Sequence, residues 1–197
     1  MQKLIFIISL IFMFFYQQLS AQKTFTGNRG SSFELSGQEL TAFKESALQK
    51  TKRLGLYIQT ITDKSISDYE IKKGAVNSAV KLFMSEENVV QVSSKNSSGT
   101  NDYPIRQYLN KIRVLQYSKI NITWYDIGYV SEFRKGPDGK YNAVITVFQK
   151  FTGYQDNIPI YSDITQKNIH VTIDKIKTFQ GERMDVLLGD ITVEETK

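Results

Sequence analysis

The second half of the chain constrains the fold most, because from Ser118 onward it consists of long strand-like segments separated by short turns. Apolar, β-branched and aromatic residues dominate these segments, which cover residues 120–134, 141–152, 160–176 and 183–193. Turn residues separate them at Gly136-Pro137-Asp138-Gly139, at residues 156–159 and at Gly181. Connections this short can join only antiparallel neighbours. The sequence therefore predicts an antiparallel meander of four strands.

The segment before this meander predicts helices. Ser36 and Glu39 have the spacing of a capping box, with Leu35 and Leu40 as its hydrophobic staple. Apolar residues then recur at helical spacing as far as Ile61, and Gly55 is a point where this helix is expected to kink or split. Ser67 and Glu70 repeat the capping box, with Ile66 and Ile71 as its staple, and predict a second helix immediately afterwards.

The linking segment combines both periodicities. Residues 88–93 predict a short strand, and residues 95–103 are polar and predict a loop. Pro104 opens a brief helix that carries Ile105, Tyr108, Leu109 and Ile112 on one face. The predicted order is therefore α-α-β-α-β-β-β-β, an α+β fold with N-terminal helices packed on a curved, mostly antiparallel sheet. We expect one such domain over residues 36–197.

The first 21 residues predict an export signal. One lysine precedes an uncharged apolar run from Leu4 to Tyr16, and a polar stretch then ends in Ser20-Ala21. An uncleaved anchor is the alternative, but the run is shorter than the roughly 20 residues that span a bilayer. We expect cleavage near Ala21, a flexible leader over residues 22–35, and a periplasmic or extracellular protein without a transmembrane span.

Composition argues against several kinds of chemistry. The chain has no cysteine, which excludes a thiol nucleophile and disfavours a structural zinc site. Its one histidine, His170, lies in an alternating strand and is expected to point outward, away from Ile169 and Val171. The net charge of +5 is interspersed along the chain, so nucleic-acid binding is not expected. Since no phosphate-binding glycine motif occurs either, no cofactor or metal is expected.

Three segments carry a resemblance to a known superfamily. They are the helix Ile105-Arg106-Gln107-Tyr108-Leu109-Asn110 and the strands Ile122-Thr123-Trp124-Tyr125 and Tyr161-Ser162-Asp163-Ile164-Thr165. In element order and texture, residues 65–195 resemble the nuclear transport factor 2-like (cystatin-like) superfamily, especially its exported members in Bacteroidetes-type bacteria. The resemblance implies a cone with an apolar pocket. Such families include ketosteroid isomerase-like enzymes, dehydratases and proteins without catalysis, so function does not follow from the fold.

A candidate ligand site follows from the predicted strand register. A two-residue turn at Pro137-Asp138 would place Trp124 opposite Phe151 and Asp126 opposite Gln149 on an apolar sheet face. A carboxylate on such a face could accept a proton as a general base. A bulge that turns Asp126 outward is the alternative.

The other face of the same strands predicts a contact surface. Tyr125, Tyr129 and Phe133 would lie there with Ile127 and Phe148, forming a tyrosine-rich apolar patch. Such a patch is either the face packed on the helices, which would reverse the assignment of faces, or a surface for a partner. A homodimer through the sheet is the simplest form of the second alternative.

These features predict an exported, non-catalytic module that binds a small apolar ligand or another protein of the bacterial cell envelope. The alternative is a small cofactor-free enzyme related to ketosteroid isomerases or dehydratases. In that enzyme Asp126 would be the base, Gln149 would orient a substrate carbonyl, and Trp124 and Phe151 would form the walls.

Overall fold

The computed structural model describes residues 34–97 and 99–197. The predicted signal peptide, and the predicted leader as far as residue 33, lie outside these residues. Leu35, the last residue of that leader, is buried in the core, and its backbone N–H donates a hydrogen bond of 3.1 Å to the Tyr141 hydroxyl. Over the part of the chain that is described, no helix is both long and apolar enough to cross a membrane.

The first helix begins where the sequence predicts. Helix α1 (Gly37–Thr62) is capped by Ser36, whose hydroxyl accepts from the Glu39 N–H, while the Glu39 carboxylate accepts from the Ser36 N–H at 2.9 Å. This reciprocal pair confirms the capping box. Gly55 does not split the helix; it is buried, and a Cβ at this position would lie 3.9 Å from the Trp124 side chain, an ordinary van der Waals distance. Helix α1 therefore packs on Trp124 at this residue.

The second predicted cap is wrong by one residue. Helix α2 (Tyr69–Val80) is capped by Asp68, whose carboxylate accepts from the Glu70 N–H at 2.8 Å, so Ser67 is not the cap. An ionised carboxylate at this position is stabilised by the helix dipole as well as by the hydrogen bond, which explains its advantage over a serine hydroxyl. Ile71 is 52% exposed, so the predicted staple with Ile66 does not bury it.

The C-terminal half forms the predicted sheet. Among the described residues the strands are β1 (Val89–Val92), β2 (Asn101–Pro104), β3 (Lys119–Val130), β4 (Arg134–Lys135), β5 (Tyr141–Gln155), β6 (Ile158–Thr178) and β7 (Gly181–Thr196). Their order across the sheet is β2-β1-β7-β6-β5-β3, and β4 pairs with β5. All pairs are antiparallel except β1 with β7, so the predicted mostly antiparallel sheet is confirmed.

The predicted loop over residues 95–103 contains part of a strand that the sequence did not indicate. Strand β2 pairs with β1 from Val92↔Asn101 to Val89↔Pro104 and forms an outer edge of the sheet. Its residues, Asn-Asp-Tyr-Pro, show no alternation, and of the four only Tyr103 favours strands. Pairing with β1 makes this segment a strand. The third helix, α3 (Ile105–Arg113), follows directly.

The core lies between the helices and one face of the sheet. Alternate residues of the central strands are buried there: Ile145 and Val147 of β5, Ile169, Val171 and Ile173 of β6, and Val186 and Leu188 of β7. Helices α1 and α3 contribute Leu54, Ile58, Ile61 and Leu109 to the same core. The α+β class with N-terminal helices on a sheet is therefore confirmed.

The cap of α2 provides a test of the local assignment. Asp68→Ala should lower the free energy of unfolding by about 1 kcal/mol, because the helix loses its capping acceptor. Ser67→Ala, one residue earlier, should change it by less than about 0.5 kcal/mol. Urea denaturation of both variants measures the difference, and the opposite ranking would restore Ser67 as the cap.

Candidate ligand-binding cavity

A cavity of about 690 Å³ lies at one end of the sheet. Helix α3, the end of β1, the segment after α3 and the inner faces of β5 and β6 line it. Its apolar wall consists of Ile112, Leu115, Tyr117, Ile122 and Phe151. The helices that fill the space above the middle of the sheet leave this end open.

Aromatic rings define one side of the cavity. Phe151 makes edge-to-face contacts with Tyr117 and Tyr161, each with 5.7 Å between ring centroids. Tyr117 also lies directly on Gly153, where a Cβ would come within 2.4 Å of its Cε1 atom. Only glycine allows the tyrosine ring to approach the strand this closely, so Gly153 holds this wall in place.

A polar row forms the floor. Tyr161, Asp163, Thr165 and Lys167 alternate along β6 and all line the cavity. They lie on the same strand face as buried Ile169, because alternate residues of a strand point to one side. The inner face of β6 is therefore apolar under the helices and polar at the cavity.

Asp163 belongs to a chain of hydrogen bonds. The Tyr161 hydroxyl donates to Asp163 Oδ2 at 2.5 Å and lies 2.7 Å from Ser94 Oγ. Since the tyrosine proton is used on the carboxylate, the Ser94 hydroxyl is the donor to the tyrosine oxygen. Burial, and next the bond to Asp163, raise the pKa of Tyr161. Tyr161 thus remains a donor and satisfies one oxygen of a buried carboxylate.

Lys167 is a buried amine. The residue is only 3% exposed, and its Nζ donates a hydrogen bond of 2.7 Å to the Gln91 carbonyl. None of the described carboxylates forms an ion pair with it. Burial lowers the pKa of Lys167 to about 8, and the charge of Asp163 opposes this shift. The Lys167 amine is therefore largely protonated at neutral pH, and its buried charge lowers the stability of the fold.

Two of the four predicted ligand-binding residues line the cavity. Gln149 and Phe151 do so, whereas Trp124 is behind Gln149 and packs toward Gly55 of α1. Trp124 Nε1 donates a hydrogen bond of 3.0 Å to Gln149 Oε1. Trp124 is therefore a positioning residue for Gln149 rather than part of the wall.

The structure corrects the placement of Asp126. The predicted register holds at Val130↔Ile145, but a bulge between Tyr125 and Tyr129 shifts it, so that Trp124 pairs with Gln149 instead of Phe151. Asp126 lies in this bulge with φ of 53°, is exposed, and is not among the residues that line the cavity. Aspartate adopts this left-handed conformation more readily than most residues. The outward alternative is the correct one, and the general-base assignment loses its geometric basis.

The structure also shows which face of the sheet the helices cover. Tyr125 and Tyr129 are on the outer face, where Tyr125 stacks on Phe148 at 5.8 Å between centroids and Tyr129 is 68% exposed. Phe133 is buried and Ile127 packs against the core, so their predicted places in the tyrosine patch are wrong. Tyr125, Tyr129 and Phe148 form the tyrosine patch of this outer face.

Tyr161, Asp163 and Lys167 were not among the predicted site residues. The period of β6 could have found them, since counting back in steps of two from the apolar Ile169 reaches all three. The indication is a polar residue that the alternation of the strand places on the same face as buried apolar residues. His170, out of that phase, is exposed as predicted. Within the described ranges, no cluster of three or more His, Asp or Glu residues could hold a metal ion.

Comparisons with known proteins add little to this geometry. No family model matches the chain, and no curated protein matches it. A crystal structure from Novosphingobium aromaticivorans, provisionally described as an aromatic ring hydroxylase, is similar with a TM-score of 0.38 and 10% sequence identity. The match covers 78% of this chain and 94% of that one. At this TM-score the similarity supports no conclusion about family, function or site.

The cost of the buried amine can be measured through its pH dependence. Below pH 8, Lys167 is protonated in both the folded and the unfolded protein. Burying its charge then lowers the free energy of unfolding by the full amount. The cost falls as pH rises from about 8 to the unfolded value of 10.5, because the folded protein is then neutral at Lys167 and releasing the proton becomes progressively easier. Lys167→Met should therefore raise the free energy of unfolding by about 1–2 kcal/mol at pH 7.

The gain should shrink toward zero near pH 10, as measured by urea denaturation at several pH values. Lys150→Met, on an exposed position of neighbouring β5, is the control and should show no such trend. A gain in the free energy of unfolding of Lys167→Met that does not change with pH would contradict a lowered pKa of Lys167.

Proposed function

We propose that this chain is an exported binding protein of the bacterial cell envelope, of the nuclear transport factor 2-like type, which holds a small ligand with an apolar body. Binding rather than turnover is the proposed role. The cavity is the observation that carries this proposal. Its volume of about 690 Å³ lies within the range of about 300–1,000 Å³ that is typical of small-molecule sites.

The composition of the cavity wall supports the same proposal. Aromatic and aliphatic side chains make up one side, whereas a few polar groups, chiefly Gln149, Asp163 and Lys167, are placed along the floor. Known ligand sites combine a mainly apolar lining with a small number of fixed polar groups. A buried Lys167 amine without an ion pair among the described residues is unfavourable for folding, which fits a role in binding better than a role in packing.

A neutral fluorescent dye tests whether the cavity accepts an apolar molecule. N-phenyl-1-naphthylamine should bind the purified protein and gain fluorescence, because the dye leaves water for an aromatic wall. Leu115→Trp should weaken this binding at least tenfold, since the indole would occupy the cavity from a position outside helix and strand. Ile164→Trp, on the exposed face of β6, is the matched control and should leave binding unchanged.

Equal dye binding by both tryptophan variants would place the dye elsewhere and remove the support for the cavity. A reproducible turnover that a single cavity substitution abolishes would replace the binding role with an enzymatic one. The proposed export is checked by N-terminal sequencing of protein secreted from a bacterial host, which should begin at Gln22.

We further propose that two copies associate through the tyrosine patch. Tyr129 is 68% exposed and Tyr125 is 37% exposed on a sheet face that helices do not cover. Apolar aromatic surface of this kind favours self-association, most simply as a symmetric pair. Tyr129→Glu should shift the sedimentation of the protein from dimer to monomer at micromolar concentration. Leu56→Glu, at an exposed apolar residue on helix α1, is the control, and a monomeric parent protein would disprove the association.

A further inference from the structure

The cavity contains more hydrogen-bond donors than the protein satisfies. Gln149 shows this most clearly, because the Trp124 indole can only donate and therefore fixes Oε1 as the acceptor of their 3.0 Å bond. The amide nitrogen is then directed away from Trp124. It has no hydrogen-bond partner among the described residues, although Gln149 is only 9% exposed and lines the cavity.

Lys167 has the same surplus. Its ammonium carries three protons, and in the described part of the chain only the Gln91 carbonyl accepts one of them. Lys167 and Gln149 are also close together. Gln149 pairs with Thr165 and Val147 pairs with Lys167, which makes the two side chains diagonal neighbours on one face of the sheet. Their Cβ atoms are therefore about 7–8 Å apart or less, within reach of one shared ligand group.

A third donor lies on the helix side. Tyr108 of α3 lines the cavity, and its hydroxyl has no hydrogen-bond partner among the residues that the structure describes; since none of their enclosed polar side-chain atoms lacks a partner, this hydroxyl is accessible. Burial raises the pKa of Tyr108, so the hydroxyl keeps its proton and remains a donor. Asp163 offsets only part of this surplus: its Oδ2 accepts from Tyr161 and its Oδ1 remains an acceptor, but the unpartnered protons of Gln149, Lys167 and Tyr108 outnumber it.

The charges of the lining favour an anion. Lys111 and Lys167 are the cations among the cavity-lining residues, and Asp163 is the anion, which leaves one positive charge unmatched. Lys111 is at the exposed end, 4.6 Å from the centre of the Tyr103 ring. Lys167 is at the buried floor. A monoanion would therefore neutralise the cavity.

We propose that the ligand is a monocarboxylic acid with an apolar, ring-sized body, whose carboxylate accepts hydrogen bonds from Lys167 Nζ and Gln149 Nε2. The apolar body lies against Phe151 and Tyr117. A carboxylate fits because it offers two acceptor oxygens and no donor, the complement of the donor surplus. This inference rests on the proposed binding function and names the class of ligand.

The test compares an acid with a neutral molecule of nearly the same shape. 2-Naphthoate and 2-naphthamide are used to displace N-phenyl-1-naphthylamine at pH 6.5. The parent protein should bind naphthoate at least tenfold more tightly than naphthamide. Lys167→Met should lose at least tenfold in naphthoate affinity and a clearly smaller factor in naphthamide affinity, because the neutral amide loses a hydrogen bond but no charge pair. Lys150→Met, outside the cavity, should retain the preference for the acid.

A pH series provides a second measurement that needs no variant. Naphthoate affinity should fall as pH rises above about 8, where Lys167 loses its proton, while naphthamide affinity stays level. The other titratable groups facing the cavity are Asp163, Tyr161, Tyr108 and Lys111. These groups are all present in Lys167→Met, so the absence of a fall in that variant assigns the effect to Lys167.

The outcomes separate this inference from the proposed function. If naphthamide displaces the dye as well as naphthoate does, the cavity binds small molecules but the carboxylate class is wrong. If Lys167→Met keeps the preference for the acid, Lys167 is not the anchor and the inference fails. If neither compound nor the dye binds, the proposed binding function fails as well.

Discussion

Strand β6 determines most of this structure, because it pairs with β5 from Ile158 to Ile173 and with β7 from Thr165 to Thr178. Burial alternates from Asp163 to Val171, so a single choice of face orients the side chains of this stretch. Ile169, Val171 and Ile173 set that choice by burying against the helices. The polar residues that precede them must then point to the same side, where they face the cavity.

This constraint explains how a charged amine comes to be buried. Lys167 could be exposed only if the register changed by one residue, which would also turn the apolar half of the strand to water. Another buried lysine, Lys50, forms an ion pair with Asp185, with 3.0 Å between Nζ and Oδ1, so the two charges balance. Lys167 has no such carboxylate among the described residues. The difference distinguishes a structural ion pair from a charge that remains available.

The sequence predicted those features that depend on neighbouring residues. The Ser36 cap, the four long strands and their short turns all follow from local patterns. The bulge at Asp126 does not, because it depends on one residue adopting φ of 53° between two strands that also have to pair. A shift at that point moved Trp124 from opposite Phe151 to opposite Gln149 and removed Asp126 from the site. Strand β2 escaped prediction for a related reason, since only its partner makes it a strand.

The contact between Gly55 and Trp124 links the cavity to a helix that does not line it. The indole lies between α1 and Gln149, and it fixes which end of the glutamine amide is presented to a ligand. A Cβ at position 55 would meet the indole at 3.9 Å, an ordinary van der Waals distance, whereas a larger side chain would press on it. Bulky residues in the middle of α1 would therefore disturb the hydrogen bond that orients Gln149. A buried position in the helix layer thus bears on the cavity without lining it.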